Sequence, residues 1–441
     1  MRRGLLMKSN PVNLRKTNIR YFILAMLFVV TTLNFVDRST ISMAAPAMRK
    51  DLGINTVNMG YIFSAFGWSY TALQIPGGWL LDKFGSRIVY GVGLILWSLF
   101  TFFQGAVGFF GGAAGFIILF ALRLLMGVSE APAFPANSRL TTMWFPTHER
   151  GLASAIFNSA QYFALAVFNP IMGWILIKFG WPHVFYSMGI AGIILGVIWF
   201  AVIRDPRNHP KVNQAELDYI QSGGGLADLV DSNSVIKWSY VRKLVTNRMM
   251  IGIYLGQFCL NVSTWFFLTW FPTYLITTRG MSILKVGLLA AIPAIGGFVG
   301  GVLGGYVSDW LLRKGKSLTF ARKFPIVLGL LLSGSIILAN YVSTTSVIIA
   351  VMSLAFFAKG FGGLGWTVVS DTSPKEMLGL SGGIFNFAGN IASIVTPIVI
   401  GYILSVTHSF NGALIFVGAM GILGALSFLF IVQDIKRVEF D

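Results

Sequence analysis

The chain has 441 residues, of which 55% are hydrophobic and only 11% are charged. A soluble globular domain carries about 25% charged residues, so this composition excludes an ordinary soluble enzyme and predicts a protein that spans a membrane. The formal net charge of +17 would suit a nucleic-acid-binding protein, but the positions of the basic residues exclude that partner. The single cysteine, Cys259, excludes a disulfide framework and a cysteine metal cluster.

Twelve segments are long and apolar enough to cross a bilayer, which takes roughly 20 residues of helix. In chain order they are 21–47, 57–81, 88–110, 113–136, 150–177, 183–203, 249–275, 283–311, 322–342, 346–370, 377–405 and 410–433. Many glycines accompany them, as expected where helices pack closely in lipid. The sequence therefore predicts an all-α membrane protein.

The segments divide into two groups of six. We predict a cytoplasmic basic tail over 1–20, an N-terminal bundle over 21–203, a polar linker over 204–248, a C-terminal bundle over 249–433 and a short cytoplasmic tail over 434–441. Within the linker, Asn213 followed by Glu216 predicts the start of a short helix. That helix either lies on the cytoplasmic surface between the bundles or serves only as part of a spacer.

A Gly-x-x-x-Asp motif occurs once in each group, at Gly78–Asp82 and at Gly305–Asp309. The glycine would let two helix ends approach closely, and the aspartate could cap a helix or pair with a loop cation such as Arg87 or Arg313. The repetition predicts two pseudo-symmetric six-helix bundles that rock against each other, with these residues as a gate. The alternative is that the charges merely stop the helices.

Basic residues are concentrated in alternate loops. When successive loops are assigned to the two sides of the membrane, most of the 33 Lys and Arg residues fall on the side of the N-terminus. An excess of Lys and Arg marks cytoplasmic loops, so we expect both termini to be cytoplasmic. This distribution accounts for the net charge without a nucleic-acid partner.

Five ionisable residues lie well inside the predicted spans: Asp37, Arg38, Arg123, Glu130 and Lys359. An unpaired charge at the bilayer centre costs about 2.5–3.5 kcal/mol or more, and such residues usually mark a substrate or proton path. The alternative is a set of static salt bridges. Neighbours in sequence point about 100° apart on a helix, and residues seven apart lie about 10 Å apart, so these residues need partners on other helices, in water or in the substrate.

The pairing of carboxylates with arginines suggests how anion and proton binding could be coupled. If the carboxylate of a substrate occupies Arg38, the acid of Asp37 or Glu130 can keep its proton. Lys359 lies in the second group, where no carboxylate within a span balances it. A substrate with two carboxylates could thus be held at both ends, by Arg38 and Lys359, unless Lys359 extends toward the membrane surface.

Polar and aromatic side chains inside apolar segments complete a possible site for a sugar acid. The candidates are Tyr70, Asn158, Gln161, Gln257, Trp366, Asn386 and Asn390. Each alone is weak evidence, because such residues also bridge helices. Asn158 and Asn386 occupy matching places in the two groups, which places both at the surface between the bundles.

Several longer motifs carry a resemblance to a known family. They include Asp37-Arg38, Gly67-Trp68-Ser69-Tyr70, Gln74-Ile75-Pro76, Glu130-Ala131-Pro132 and Trp144-Phe145-Pro146. On these motifs the chain, from about residue 20 to 438, resembles the major facilitator superfamily and within it the anion:cation symporter family. It looks most like the bacterial glucarate/galactarate proton symporters, with galactonate symporters as close relatives.

The resemblance implies roles for individual residues. Asp37 and Glu130 match proton-binding carboxylates, Arg38 matches the ligand of the substrate carboxylate, and Arg123 matches a partner in proton coupling. Tyr70, Gln257, Trp366 and Asn386 match residues of the substrate cavity. Lys359 stands where the galactonate members have a neutral residue, which favours a substrate with two carboxylates. One departure is Phe35-Val36 before the Asp-Arg pair, where the aldarate members tend to have Tyr-Ala.

We therefore expect a monomeric transporter of the bacterial inner membrane that imports glucarate or galactarate with protons. The alternatives are a proton symporter for galactonate, another aldonate or a hexuronate, a proton-independent organic-anion exchanger, and a transporter-like receptor. An enzyme is not expected, because the sequence has no metal-ligand cluster and no nucleophile elbow. Its one Gly-x-Gly-x-x-Gly match, 360–365, lies inside a predicted span, so we expect neither a cofactor nor a metal.

Overall fold

The computed structural model describes residues 16–226, 238–373 and 378–438, and these residues form helices without a β-strand. Most of the N-terminal tail and the last three residues therefore lie outside the described ranges. The helices of the first half are α1 Ile19–Leu52, α2 Thr56–Ala72, α3 Gln74–Gly105, α4 Gly112–Glu130, α5 Ala133–Trp144, α6 Arg150–Phe163, α7 Asn169–Phe179 and α8 Trp181–Val202.

Two short helices follow in the linker, α9 Gln214–Ser222 and α10 Trp238–Thr246. The helices of the second half are α11 Arg248–Thr269, α12 Phe271–Thr277, α13 Ile283–Leu289, α14 Ala291–Arg313, α15 Leu318–Ser333, α16 Thr345–Phe361, α17 Gly365–Thr372, α18 Leu378–Asn390, α19 Ala392–Thr407 and α20 Asn411–Leu426. Several predicted spans thus consist of two helices in tandem.

Eleven stretches of the described helices are long and apolar enough to cross a membrane. The remaining predicted span, the second in chain order at 57–81, is divided between α2 and the start of α3 by a break at Leu73. Pro76 explains the break, because proline has no N–H to donate and its ring clashes with the carbonyl four residues earlier. Gly85, with a φ of 78°, then makes the turn into the third span, since left-handed backbone favours glycine.

The fourth predicted span is also broken at a proline. Its first helix, α4, ends at Glu130, and α5 begins at Ala133, after Pro132. The bend expected from this sequence is therefore present, directly after Glu130. The helix continues to Trp144, beyond the predicted end of the span at residue 136.

The linker helix α9 is bonded to the first half. Asn213 caps it by accepting from the N–H of Glu216, as the sequence predicts. The buried carboxylate of Glu216 accepts from the Thr17 hydroxyl at 2.6 Å and from the N–H of Ile19 at 3.1 Å. Arg20 bridges the linker and the bundle, with its guanidinium 3.2 Å from Glu216 and 3.0 Å from Glu149. Helix α9 is therefore part of the first half.

The two halves together form a helical domain with two ends. We call the end with Thr17, Glu149 and α9 the terminal face, and the end with Gly53, Gly180 and His408 the opposite face. The halves meet tightly toward the opposite face. A Cβ built on Gly60 of α2 would lie 2.6 Å from the carbonyl oxygen of Pro397 in α19, and the hydroxyls of Tyr61 and Tyr402 are 3.0 Å apart.

A second contact between the halves, formed by α7 and α13, also lies toward the opposite face. A Cβ on Gly287 of α13 would be 2.9 Å from the carbonyl oxygen of Asn169 in α7. In return, a Cβ on Gly173 would be 3.4 Å from the carbonyl oxygen of Ile283. Small residues on both sides let the backbones approach, so these two interfaces close the opposite face.

The predicted gate residues make other contacts than expected. A Cβ on Gly78 or Gly305 would meet nothing within 4 Å among the described residues, so the close helix approach predicted there is not made in this conformation. Asp309 pairs with Arg322 at 3.3 Å and not with Arg313, whose guanidinium lies 5.9 Å from the Tyr306 ring. The cation nearest in sequence was the wrong choice, because Arg322 lies in the second turn of the next helix and faces back toward α14.

In the first half, Arg87 donates to the carbonyl oxygen of Phe200 at 2.7 Å and so joins α3 to α8. The side chain of Asp82 lies outside the described part of the structure, although its backbone belongs to α3. In the second half, Arg322 also binds Asp371 at 2.8 Å and the Ser308 hydroxyl at 2.7 Å. Arg322 thus ties α14, α15 and α17 together at the terminal face.

Candidate functional site

A buried ion pair joins α1 to α4 in the first half. Arg38 donates from Nε to Oε1 of Glu130, and the two residues are 5% and 0% exposed. Glu130 is the last residue of α4, at the proline break, whereas Arg38 is in the middle of α1. The sequence left the partner of Arg38 open, and the structure supplies it from another helix.

Four aromatic rings surround the Arg38 guanidinium. Its Cζ lies 4.7 Å from the centroid of Tyr70, 4.9 Å from those of Phe35 and Phe66, and 5.9 Å from that of Phe134. Phe66 and Tyr70 are stacked with their centroids 5.0 Å apart. Aromatic faces attract a cation most strongly where water is excluded. These rings therefore hold Arg38 in place while leaving Nη2 without a hydrogen-bond partner among the described residues.

Asp37 is buried on the neighbouring face of α1. Glu130, Arg123 and the Trp97 indole are close enough to affect it electrostatically. Neither carboxylate oxygen of Asp37 has a hydrogen-bond partner of good geometry among the described residues. Arg123 is likewise buried, and its Nη1 donates to the Met126 sulfur at 3.5 Å, whereas its Nε and Nη2 have no hydrogen-bond partner among the described residues. Two carboxylates and two guanidiniums thus share one buried cluster in which a single ion pair is formed.

Lys359 lies between the halves. It is 7% exposed, and its Nζ is 5.4 Å from the Phe356 ring and 5.7 Å from the ring of Tyr162, which belongs to the first half. Across the described ranges no carboxylate forms an ion pair with it. This burial argues against the alternative in which the lysine extends to the membrane surface.

One polar contact crosses from half to half near the Arg38 cluster. The Asn386 side-chain amide donates to Oε1 of Gln74 at 2.7 Å, and Asn390 donates to Oδ1 of Asn386 at 3.1 Å. Gln74 in turn interacts with the Tyr70 hydroxyl. Sequence analysis selected Tyr70, Asn386 and Asn390 but not Gln74. A polar side chain at a proline break within a span is the signal that could have identified it.

Other candidates bond within their own helices. Asn158 and Gln161 donate to carbonyl oxygens of Ser154 and Asn158, at 2.8 and 3.1 Å. Asn158 and Asn386 were both predicted at the surface between the bundles. The bond of Asn158 lies within α6, whereas Asn386 bonds across to Gln74 of the first half. Gln257 donates to Asn261 at 3.4 Å.

Trp366 differs from the buried candidates, because 54% of it is exposed. It meets Phe385 edge-on, with the ring centroids 5.1 Å apart. Gln257 lies beside the same helix end, since a Cβ on Gly365 would approach its Oε1 to 2.6 Å. Gln257, Trp366 and Asn386 thus belong to neighbouring helices of the second half, α11, α17 and α18.

Comparison with known proteins gives a family match and close relatives. The model of the Major Facilitator Superfamily matches residues 27–362. The chain is 58% identical to a probable galactarate/D-glucarate transporter GudP of Bacillus subtilis (strain 168), over 96% of this chain and 94% of the relative. It is 54% identical to GudP of Escherichia coli (strain K12), with 96% of each chain covered.

A more distant relative is a D-galactonate transporter of Escherichia coli O6:H1, 44% identical over 97% of this chain and 99% of the relative. Among solved structures, the D-xylose-proton symporter superposes with a TM-score of 0.72 over 94% of this chain and 98% of that one, at 18% identity. A bacterial homolog of the human lysosomal transporter Spinster gives 0.68 over 95% and 96%, at 19% identity. These two structures support the fold alone.

Proposed function

The chain belongs to the Major Facilitator Superfamily, and we propose that it imports glucarate or galactarate together with protons across the bacterial inner membrane. It is a transporter and not an enzyme, as are the relatives at 58% and 54% identity. The observation that carries the proposal is the buried Arg38–Glu130 pair with the unpaired Asp37 beside it. The names of the relatives support the choice of a sugar acid with two carboxylates.

The Arg38–Glu130 pair supplies a means of coupling. A substrate carboxylate that binds Arg38 competes with Glu130, because both need the same guanidinium. Once displaced, Glu130 would be a buried carboxylate without a partner, which is costly unless it takes up a proton. Asp37 is already buried without a hydrogen-bond partner of good geometry and provides the second proton site. Arg123 contributes a positive charge that stabilises the ionised forms of Asp37 and Glu130.

The second carboxylate of the substrate is assigned to Lys359. Arg38 belongs to the first half and Lys359 to the second, so a dianion held by both draws the halves together. Tyr70, Gln257, Trp366, Asn386 and Asn390 supply ring faces and hydrogen bonds for the hydroxylated carbon chain between the carboxylates, and Asn158 and Gln161 lie farther along α6. A hexarate therefore uses both ends of the site, whereas galactonate leaves Lys359 without an anion.

Alternating access follows from the two interfaces near the opposite face. With both termini in the cytoplasm, the closed opposite face is the outer one and the site is reached from the cytoplasm. Rocking of the halves would open the contacts of Gly60 and Gly287 and close the terminal face. The residues proposed to act there are Gly78, Asp82, Arg87, Asp309 and Arg313, together with Arg322.

The number of protons decides whether the membrane potential helps. An inside-negative potential opposes an incoming anion by about 2.3 kcal/mol per charge per 100 mV. Two protons make the transport of a dianion electroneutral, and three make it electrogenic inward. Asp37 and Glu130 are two candidate sites, which favours two protons.

The test is proton uptake by right-side-out vesicles on addition of glucarate, galactarate or galactonate. We expect the wild type to alkalinise the medium with the hexarates, and Lys359→Asn to lose hexarate transport while it keeps or gains galactonate transport. Lys178→Asn removes a lysine that lies over Trp174 at the opposite face and serves as the matched control. Proton movement with galactonate alone in the wild type would overturn the substrate assignment.

A second function, anion exchange without protons, is favoured by the three buried cations Arg38, Arg123 and Lys359. The same vesicles distinguish it. Labelled hexarate would then exchange across the membrane while no substrate moves protons, and symport would be wrong.

A further inference from the structure

Gln74 lies at a break in the second span and at the surface between the halves. It is the first residue of α3 and is 8% exposed. Its Oε1 accepts from the Asn386 side chain at 2.7 Å across 312 positions of sequence. Its Nε2 is buried and has no hydrogen-bond partner of good geometry among the described residues. Burying an amide N–H group without a hydrogen-bond partner costs free energy. Helix packing alone therefore does not explain why a glutamine occupies this position.

Gln74 is joined to the Arg38 cluster through Tyr70. The two residues are four apart, and their side chains interact. The Tyr70 ring lies 4.7 Å from Cζ of Arg38, which binds Glu130. A continuous set of contacts therefore runs from Glu130 through Arg38, Tyr70 and Gln74 to Asn386 in the other half.

The backbone near Gln74 also touches the break after Glu130. A Cβ built on Gly77 would lie 3.2 Å from the backbone nitrogen and from Cγ of Pro132. The interrupted part of span two thus packs directly on the interrupted part of span four. A shift of Glu130 on losing Arg38 would reach Gln74 by two routes, through the Tyr70 side chain and through this backbone contact.

We propose that Gln74 is a positioning residue that aligns Asn386 with Arg38 across the gap between the halves and links anion binding to their movement. The inference rests on the proposed function. Oε1 of Gln74 accepts from Asn386, and the Tyr70 ring beside Gln74 packs against Arg38. Nε2 of Gln74 is available to donate to an oxygen of the bound sugar acid. Neither half then provides the complete binding geometry, and removing Gln74 uncouples the two parts of the site.

The experiment compares wild type with Gln74→Leu, Gln74→Glu and Asn386→Leu, and with the double variant Gln74→Leu/Asn386→Leu, in proteoliposomes. Loss of one such hydrogen bond is expected to raise the KM for glucarate about tenfold in Gln74→Leu and to shift the pH profile of uptake. Asn386→Leu gives a similar loss, and the double variant is scarcely worse than either single one, because both residues belong to one contact. Gln74→Glu, which keeps an acceptor for Asn386, recovers part of the affinity.

Gln104→Leu is the matched control, because Gln104 is also a buried glutamine of α3 but donates within the first half, to the carbonyl oxygen of Phe100 and to the Met126 sulfur. We expect its KM and pH profile to stay near the wild type. Size-exclusion chromatography and thermal unfolding identify variants that fail to fold, and Gln74→Glu provides the test if Gln74→Leu does.

The outcomes separate the two proposals. If the wild type moves no protons with hexarates, the proposed function fails. If the wild type does so while folded Gln74→Leu keeps its KM and pH profile, or the losses of the two single variants simply multiply, the role of Gln74 is overturned.

Discussion

Gly60 of the first half and Pro397 of the second are in direct backbone contact near the opposite face. A Cβ on Gly60 would lie 2.6 Å from the Pro397 carbonyl oxygen and 3.4 Å from the Cα of Gly401. Separations below 3.0 Å require something to move, and here the neighbours are backbone atoms of a packed helix. The closed state of this face therefore tolerates no side chain at residue 60.

Gly60→Ala is expected to favour a conformation in which the opposite face is open. Spin labels on Lys50→Cys and Tyr341→Cys, in a Cys259→Ser background, would report a longer distance than in the parent protein. Net uptake should fall at least tenfold, because the cycle cannot close that face. Gly301→Ala is the control, since among the described residues its Cβ would approach the Gly360 carbonyl oxygen no closer than 3.9 Å. An unchanged distance in Gly60→Ala would contradict this account.

Asp37→Asn should separate transport from the proton gradient. The amide keeps the size of the side chain but cannot exchange a proton, so accumulation of hexarate driven by a pH gradient should be lost. Exchange of labelled for unlabelled hexarate should persist at a measurable rate, because Arg38 and Lys359 remain. The control is Asp51→Asn, at the opposite face, where the carboxylate accepts from the Trp181 indole at 2.8 Å. Gradient-driven accumulation in Asp37→Asn would exclude Asp37 as a proton site.

The ion pair of Glu149 with Arg20 should make the thermal stability of the protein depend on pH. Partial burial raises the pKa of Glu149, but hydrogen bonds from Arg20 and Tyr219 and the Arg20 charge lower it by more, leaving it below its ordinary value of 4.5. A lowered pKa contributes stability above the ordinary value that is lost as the pH falls through the folded value. At pH 7 we therefore expect Glu149→Gln to unfold at a lower temperature than wild type.

Thermal unfolding of the purified protein from pH 7 to below pH 4.5 measures the effect. The difference between wild type and Glu149→Gln should shrink toward the acid end, since the wild-type carboxylate becomes neutral there. Asp218→Asn, which neutralises an exposed carboxylate of α9 that accepts from Gln214 in the same helix at 2.7 Å, controls for the loss of a nearby negative charge. A difference that stays constant with pH would show that the ion pair with Arg20 contributes nothing.

Arg322→Ala should loosen the terminal face of the second half. The guanidinium joins Ser308, Asp309 and Asp371, and the Ser308 hydroxyl is buried. Leaving the buried Ser308 hydroxyl without this partner costs about 1–3 kcal/mol, which thermal unfolding would detect. Arg313→Ala is the comparison, because Arg313 is exposed and lies 5.9 Å from the Tyr306 ring, and it should change the unfolding temperature little. Equal effects of the two substitutions would show that the contacts of Arg322 contribute no more to stability than Arg313 does.

Local features of this fold could be predicted from the sequence, whereas partners distant in the chain could not. Apolar length identified the spans, Pro132 the bend after Glu130, and Asn213 the start of α9, because each effect acts within a few residues. The choice of Glu130 as the partner of Arg38 depends on how α1 and α4 are rotated and packed. The same reason explains Asp309, whose partner Arg322 lies on the following helix, and Gln74, whose bond to Asn386 spans the two halves.

The bonds of Glu216 to Thr17, Ile19 and Arg20 bear on how the gene could be divided. If the bundles are expressed as two polypeptides, a cut at residue 203 would separate α9 from Thr17, Ile19 and Arg20, which donate hydrogen bonds to Glu216. A cut after Leu226, whose N–H still donates to the Thr142 carbonyl oxygen at 3.1 Å, leaves all of these bonds within one product. We therefore expect the first bundle to be more soluble and to assemble better when the chain is cut after Leu226 than when it is cut at residue 203.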